Sequence, residues 1–239
     1  MPINLSAKPD FESTKKEIEK YLTFLQHVEN GDLVLKNSVA NVGEGFSIDT
    51  ELTNILKANT FLLLYNLVES TIRNLLWDIF LALQQDSVEY SQLVEEIKRV
   101  LIERKISLDF SSTNDTITNQ VMKVLNAVFS DLADLHPSEK KDIYLEGGNL
   151  GFEQIQKTFK KYGITNITQN HSTQPEYFNK TKVNRNHLAH GEKTFKECGK
   201  DYTYSELREY NDSICEFLGR IIGVVENYIH QKSYKIVMV

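Results

Sequence analysis

Residues 183–191 read Val-Asn-Arg-Asn-His-Leu-Ala-His-Gly, and two of them have complementary chemistry. Arg185 is always charged and can grip a phosphate through two parallel hydrogen bonds. His190, five positions on, can take up or release a proton near neutral pH. Together they suit cleavage of a phosphodiester whose neighbouring 2′-hydroxyl is the nucleophile. That reaction needs proton transfer and stabilisation of charge on the phosphoryl oxygens.

The spacing alone is a weak signal. With six arginines and six histidines in 239 residues, an Arg followed by a His after four to six intervening residues arises by chance roughly 0.45 times. Arg185 and His190 are the one match, and by itself the pair can be a surface helix end whose charges only solvate the fold. Context shifts the balance. Residues 180–200 hold Lys180, Lys182, Arg185, Lys193, Lys196 and Lys200 against Glu192 and Glu197, a local +4 in a chain of net charge −6. A basic island in an acidic protein marks a confined anion site rather than a long nucleic-acid groove, with Lys182 and Lys193 as its candidate RNA contacts. Asn186 and His190 form an i, i+4 pair, in which the amide either orients the imidazole or serves ordinary C-terminal capping. Gly191 reads as the residue just past a helix C-terminus, which puts His190 in the last turn, where the helix dipole favours a protonated imidazole. One geometric constraint applies. Five residues sweep about 500° of α-helix, so Arg185 and His190 stand some 140° apart around the axis. They converge only if the arginine curls over or if two protomers share one site.

The elements that must position this motif follow from composition and period. Apolar content of 41% and charged content of 25% describe a globular chain, and four prolines with eleven glycines favour long helices. Cys198 and Cys215 make neither a metal-ligand spacing nor a disulfide framework, which fits a reducing, cytoplasmic setting. Met1 to Lys16 lacks the pattern of a secretory signal, and no run of eighteen apolar residues offers a membrane span. The acids are scattered without a compact ligand set, so neither a metal nor another cofactor is expected.

Helical spacing is expected over 10–29, then a glycine-bearing connection over 31–49 in which Asp32–Lys36 forms a short strand or turn. Thr50 to Gln85 is the strongest segment. It is apolar nearly all round and reads as the central buried helix. Its exceptions, Asn66, Glu69 or Ser70, and Arg73, form one polar stripe. Glu69 and Arg73 are either plain i, i+4 helix support or a charge-setting pair that faces the Arg185/His190 motif. Further helices are expected over 88–105 and 115–133, with a polar loop at 107–116 between them. Pro137 and Gly147–Gly148 break the next stretch. A short helix follows from Phe152 to Tyr162, then a polar loop at 165–175 and the motif helix over 176–190. After a basic loop, Thr203 and Glu206 make a capping-box pattern that opens a long amphipathic helix to about His230, read as core and dimer face. The carboxy-terminal Tyr-Lys-Ile-Val-Met-Val is a strand or a frayed tail. One all-α domain over 1–239 is the economical architecture.

The run Arg-Asn-His-Leu-Ala-His-Gly at 185–191, ahead of a long terminal helix, resembles the Arg-x4–6-His signature of the HEPN superfamily. Two further stretches, Ala58 to Arg73 and Gly148 to Gly163, resemble one HEPN family, the Microcystis-type or MAE-like group often encoded beside defence genes. The three blocks extend over most of residues 56–230. The resemblance implies a HEPN-like helical bundle that dimerises and cuts RNA without metal. It implies that Arg185 and His190 form the active site, with the motifs of both protomers facing across the interface and Asn186 in attendance. Glu69 is carried over by the block match, and Arg73 and His187 join it as auxiliary residues. The implied partners are RNA, a second copy of the chain, and an antitoxin or defence-system protein. Some HEPN toxins carry a tyrosine two residues after the motif histidine, which a partner nucleotidyltransferase modifies. Glu192 stands there instead, which argues against that mode of control.

Two competing readings stay open. A metal-dependent nuclease would need ligands that the scattered acids do not supply. A non-catalytic HEPN module would use the same Arg and His simply to hold RNA, a nucleotide or a partner protein.

Overall fold

A 36-residue helix organises the molecule, because a run this long and this apolar can satisfy its backbone only as a helix buried on most sides. The computed structural model describes residues 5–32, 34–35, 46–110, 116–130, 137–140, 143, 145, 149–167 and 174–236. Its helices are α1 (Ala7–Glu29), α2 (Thr50–Gln85), α3 (Glu95–Phe110), α4 (Ile117–Ser130), α5 (Phe152–Lys161), α6 (Pro175–Ala189), α7 (Phe195–Gly199) and α8 (Tyr204–His230). Two antiparallel two-residue strands, β1 (Val34–Leu35) and β2 (Phe46–Ser47), are the sheet content of these residues. The architecture is an all-α bundle in which α2 packs against α1, α6, α7 and α8.

α2 starts where Asp49 accepts the Leu52 backbone N–H at 2.8 Å, a side-chain cap at the helix entrance. Phe61, Leu64, Leu67, Ile72 and Leu75 then meet Ile18, Leu22 and Leu25 of α1 and Leu207, Ile214, Phe217, Leu218 and Ile221 of α8 in the core. Truncating one such leucine to alanine costs about 2–5 kcal/mol. Buried Asp78 of α2 accepts from Ser6 N, Ser6 Oγ and Ala7 N at 3.1, 2.7 and 2.9 Å. This long-range cap satisfies donors that α1 cannot pair internally, and it starts α1 ahead of the periodic stretch from residue 10.

Three segments differ from expectation. The helix foreseen over 88–105 opens only at Glu95, after a 3-10 turn at Tyr90–Gln92 closed by reciprocal Glu89 and Gln92 bonds. Leu93 then pairs with Lys235 in an isolated antiparallel bridge, so the carboxy-terminal segment is neither frayed there nor a full strand. The basic loop before α8 contains α7, started by a capping box between Thr194 and Glu197. Gly199 at its end is buried against α2, where an added Cβ would sit 1.8 Å from the Asn54 carbonyl oxygen. The break at Gly147–Gly148, residues 111–115 and 168–173 of the expected loops, most of the 31–49 connection and residues 237–239 lie outside the described residues.

Candidate functional site

α6 carries the motif and is fixed by its buried face. Phe178, Thr181, Asn184 and Leu188 recur at helical spacing and point inward. Asn184 Nδ2 donates to the Tyr202 hydroxyl at 2.7 Å and ties α6 to the turn after α7. The helix ends in a Schellman arrangement: Glu192 N–H donates to the His187 carbonyl at 2.9 Å and Gly191 N–H to that of Leu188 at 3.4 Å. Gly191 has φ +69°, the left-handed backbone that glycine adopts without a Cβ penalty. His190 is therefore the C-cap residue, as its place before Gly191 foretells.

Arg185 leaves α6 toward α2 rather than toward His190. Its guanidinium carbon lies 3.7 Å from the centroid of the Tyr65 ring, and its Nη1 donates to Asn186 Oδ1 at 2.9 Å. Its Nη2 stands 3.6 Å from Glu69 Oε2, while the other oxygen of Glu69 accepts from Arg73 Nη2 at 2.6 Å. Two guanidiniums thus flank one carboxylate on the α2–α6 seam, and the row carries one uncompensated positive charge. The Arg185, Glu69 and Arg73 side chains are 22%, 32% and 31% exposed, so the row is neither dry nor fully solvated. A charge in that setting is screened less than one on an open surface and is still within reach of a ligand.

The other candidates fall around this row. Asn186 gives its carbonyl oxygen to Arg185, so the expected role of orienting His190 is absent among the described contacts. The exposed His190 side chain has no hydrogen bond or ion pair among the described residues. His187 places Nε2 3.4 Å from Glu192 Oε2, and its buried Nδ1 has no hydrogen-bond partner among the described residues. Lys193 pairs with Asp201 at 3.6 Å. Half-buried Lys182 points to the start of α5, where a Cβ on Gly151 would lie 3.1 Å from its ammonium nitrogen. Asn66 and Ser70 are exposed on the same flank of α2. The structure thus joins Arg185, Asn186, Glu69 and Arg73, and the His190 side chain makes no contact with them among the described residues. Among the described residues, no three His, Cys, Asp or Glu side chains converge as a metal site would require.

Tyr65 is the member that sequence reasoning missed. It sits one turn before Glu69, and its hydroxyl accepts the Leu150 backbone N–H at 3.1 Å, which links α2, α6 and the turn ahead of α5. Burial pushes its phenol up, against the opposing pull of the Leu150 N–H and the Arg185 charge. The spacing 65, 69, 73 was its one available signal, since a tyrosine inside an apolar run otherwise reads as core.

A family model described as MAE_28990-like HEPN matches residues 6–234. Neither the curated proteins nor the solved structures give a match.

Proposed function

Because the chain belongs to the MAE_28990-like HEPN family, we propose that it is a metal-independent endoribonuclease, acting in the cytoplasm in a prokaryotic defence or toxin–antitoxin setting. The observation that carries this reading is the Arg185 row. A motif arginine is held half-buried on an aromatic face, beside a second guanidinium, with net positive charge in an otherwise acidic chain.

In this reading the 2′-hydroxyl of one nucleotide attacks the adjacent phosphorus and the bond to the 5′-oxygen of the next breaks. The products are a 2′,3′-cyclic phosphate and a 5′-hydroxyl. An imidazole takes the 2′-proton or supplies the proton that leaves with the 5′-oxygen. Arg185 stabilises charge building on the non-bridging oxygens, and Arg73 reinforces the local field. Asn186 and Glu69 hold the guanidinium, and Lys182 and Lys193 meet neighbouring phosphates. Arg185 and His190 share no hydrogen bond among the described residues, and on this reading the site is composite. His190 of one protomer works with Arg185 of its partner in a homodimer.

Mapping the ends of cleaved single-stranded RNA in the presence of chelator tests the chemistry. Cyclic phosphate and 5′-hydroxyl ends support it. Arg185→Ala and His190→Ala should each slow cleavage by at least ~10²-fold, and cleavage that survives both changes would remove the proposal. Mixing the two inactive variants should restore about a quarter of the activity, because half of the dimers are mixed and each of these rebuilds one complete site.

A second reading is a non-catalytic module that binds RNA, a nucleotide or a partner protein. It is favoured by the lack of a described contact between Arg185 and His190 within the chain. Retarded RNA without new ends would select it.

A further inference from the structure

We infer that Tyr65 is the positioning residue for Arg185: its ring sets the plane of the guanidinium, and its hydroxyl locks that ring to the turn before α5. The kinetic part of this inference rests on the ribonuclease reading above, and the spectroscopic part does not.

Arg185 has a long side chain, and its other contacts hold it weakly. The gap of 3.6 Å to Glu69 is longer than a charge-assisted hydrogen bond, which falls near 2.7–2.9 Å. Glu69 spends its short bond on Arg73 instead. Asn186 is the next residue on the same helix, so its bond to Arg185 moves with α6 and cannot fix the guanidinium relative to α2. Among the described residues, the close contact that ties the guanidinium to another element is therefore the Tyr65 ring at 3.7 Å. Arginine stacks flat on such a ring, drawn by the negative π face.

A platform helps only if it is itself immobile. Tyr65 is 1% exposed, so packing confines its ring. Its hydroxyl accepts the Leu150 N–H, which anchors the far end of the ring to the 149–151 turn. That turn is also held to α6, where Phe152 N–H donates to Asn179 Oδ1 at 3.3 Å. The result is a closed circuit: α2 to the turn through Tyr65, the turn to α6 through Asn179, and α6 back to α2 through Arg185. Stacking covers one face of the guanidinium and leaves its in-plane N–H groups for a phosphate. Nε–H has no partner among the described residues.

Steady-state cleavage and the Arg185 Nε–H resonance, followed together, test the inference. Tyr65→Leu should lower kcat by about 10²-fold with KM nearly unchanged, the cost of misplacing a catalytic group by about 1 Å. Tyr65→Phe keeps the packed ring and loses only the Leu150 bond, so its kcat should fall between those of Tyr65→Leu and the parent. In an Arg185→Ala background, Tyr65→Leu should lower kcat no further, because there is nothing left to position. Equal losses with and without Arg185, or an undiminished kcat in Tyr65→Leu, would overturn the inference. In the nuclear magnetic resonance spectrum the Nε–H proton should be shifted upfield by the ring in the parent and in Tyr65→Phe, and lose that shift in Tyr65→Leu. Tyr65→Met, an unbranched chain that adapts to the space, carries the same expectation if leucine unfolds the protein. Should the parent cut no RNA, the ribonuclease reading fails and the resonance still decides: an Nε–H shift indifferent to Tyr65→Leu sinks the positioning role.

Discussion

Glu69→Gln tests most directly whether the Arg73–Glu69–Arg185 row is an anion site. The carboxylate stands between two guanidiniums, 2.6 Å from Arg73 Nη2 through one oxygen and 3.6 Å from Arg185 Nη2 through the other. Glutamine keeps the shape and one acceptor oxygen while the charge of the row rises from +1 to +2. About a third of the Glu69 side chain is exposed, so water screens the change strongly. The gain against one phosphate is then about 1 kcal/mol, the Coulomb energy of unit charges near 4 Å in water. That corresponds to roughly fivefold tighter RNA binding at low salt. Salt supplies a second magnitude. Each further neutralised phosphate steepens the slope of log K against log salt by about 0.7 for a single strand. Between about 50 and 200 mM salt, Glu69→Gln should lose about 2.6-fold more affinity than the parent. Fluorescence anisotropy of a labelled single-stranded RNA measures both quantities, with His190→Ala in both proteins so that cleavage cannot intrude. An unchanged slope, or weaker binding at low salt, would mean that Glu69 is not the counter-charge of an anion site.

Three further outcomes concern the scaffold. Gly199→Ala places a methyl group 1.8 Å from the Asn54 carbonyl oxygen, backbone against backbone. It should cost about 1–3 kcal/mol or more, read as a lower Tm in calorimetry, and an unchanged Tm would contradict the close approach of α7 to α2. Burial pushes the Cys215 thiol up to about 12, so at pH 8 it should resist a thiol reagent in the native protein and react at once in denaturant. Burial alone would raise the Asp86 carboxyl, but hydrogen bonds from Lys232, Tyr234 and Lys235 outweigh it and hold the group below its ordinary value. Its stabilisation is then present in full above the ordinary carboxylate range and lost as pH falls through the lower folded value. Asp86→Asn should therefore flatten the acid side of the Tm-against-pH curve, and a curve of unaltered shape would contradict this.

The helices were legible because each has a strong local cause. The apolar run of α2 ends near Gln85 where polar residues take over, and the Thr203/Glu206 box opens α8 as its spacing suggests. α7 escaped notice because Lys193, Lys196 and Lys200 in and around it read as a basic loop, although Thr194 and Glu197 carry the same capping pattern. The early start of α1 was illegible for a different reason. Its cap, Asp78, lies 71 residues from Ala7, and no local pattern reports a long-range carboxylate. In the site, the polar stripe on α2 was legible as Glu69 and Arg73, but its 3.6 Å approach to Arg185 depends on the crossing of α6, which no local pattern reports. Asn186 could as well have served His190, since both partners sit within reach on one helix. The pairing is decided by which way Arg185 turns, and that depends on Tyr65.

The seam itself argues for a site that one chain does not complete. Arg73 and Glu69 would neutralise each other as an ordinary i, i+4 pair, so the arrival of Arg185 from α6 is what turns the row net positive. The chain around the 180–200 island carries a net −10, which works against non-specific binding of a polyanion elsewhere. On the proposed reading, RNA held only here gains few phosphate contacts, so its affinity is modest and its salt slope shallow. The proton-transfer group faces the same limit. His190 sits exposed at the C-cap, while Arg185 is turned inward onto α2 by a ring and a carboxylate. Swinging Arg185 round α6 to meet His190 would sacrifice both α2 contacts at once. Bringing in the histidine of a second copy sacrifices neither of them. On the proposed reading, dimerisation is therefore the less costly route to a complete site, and it also doubles the local positive charge offered to one RNA strand.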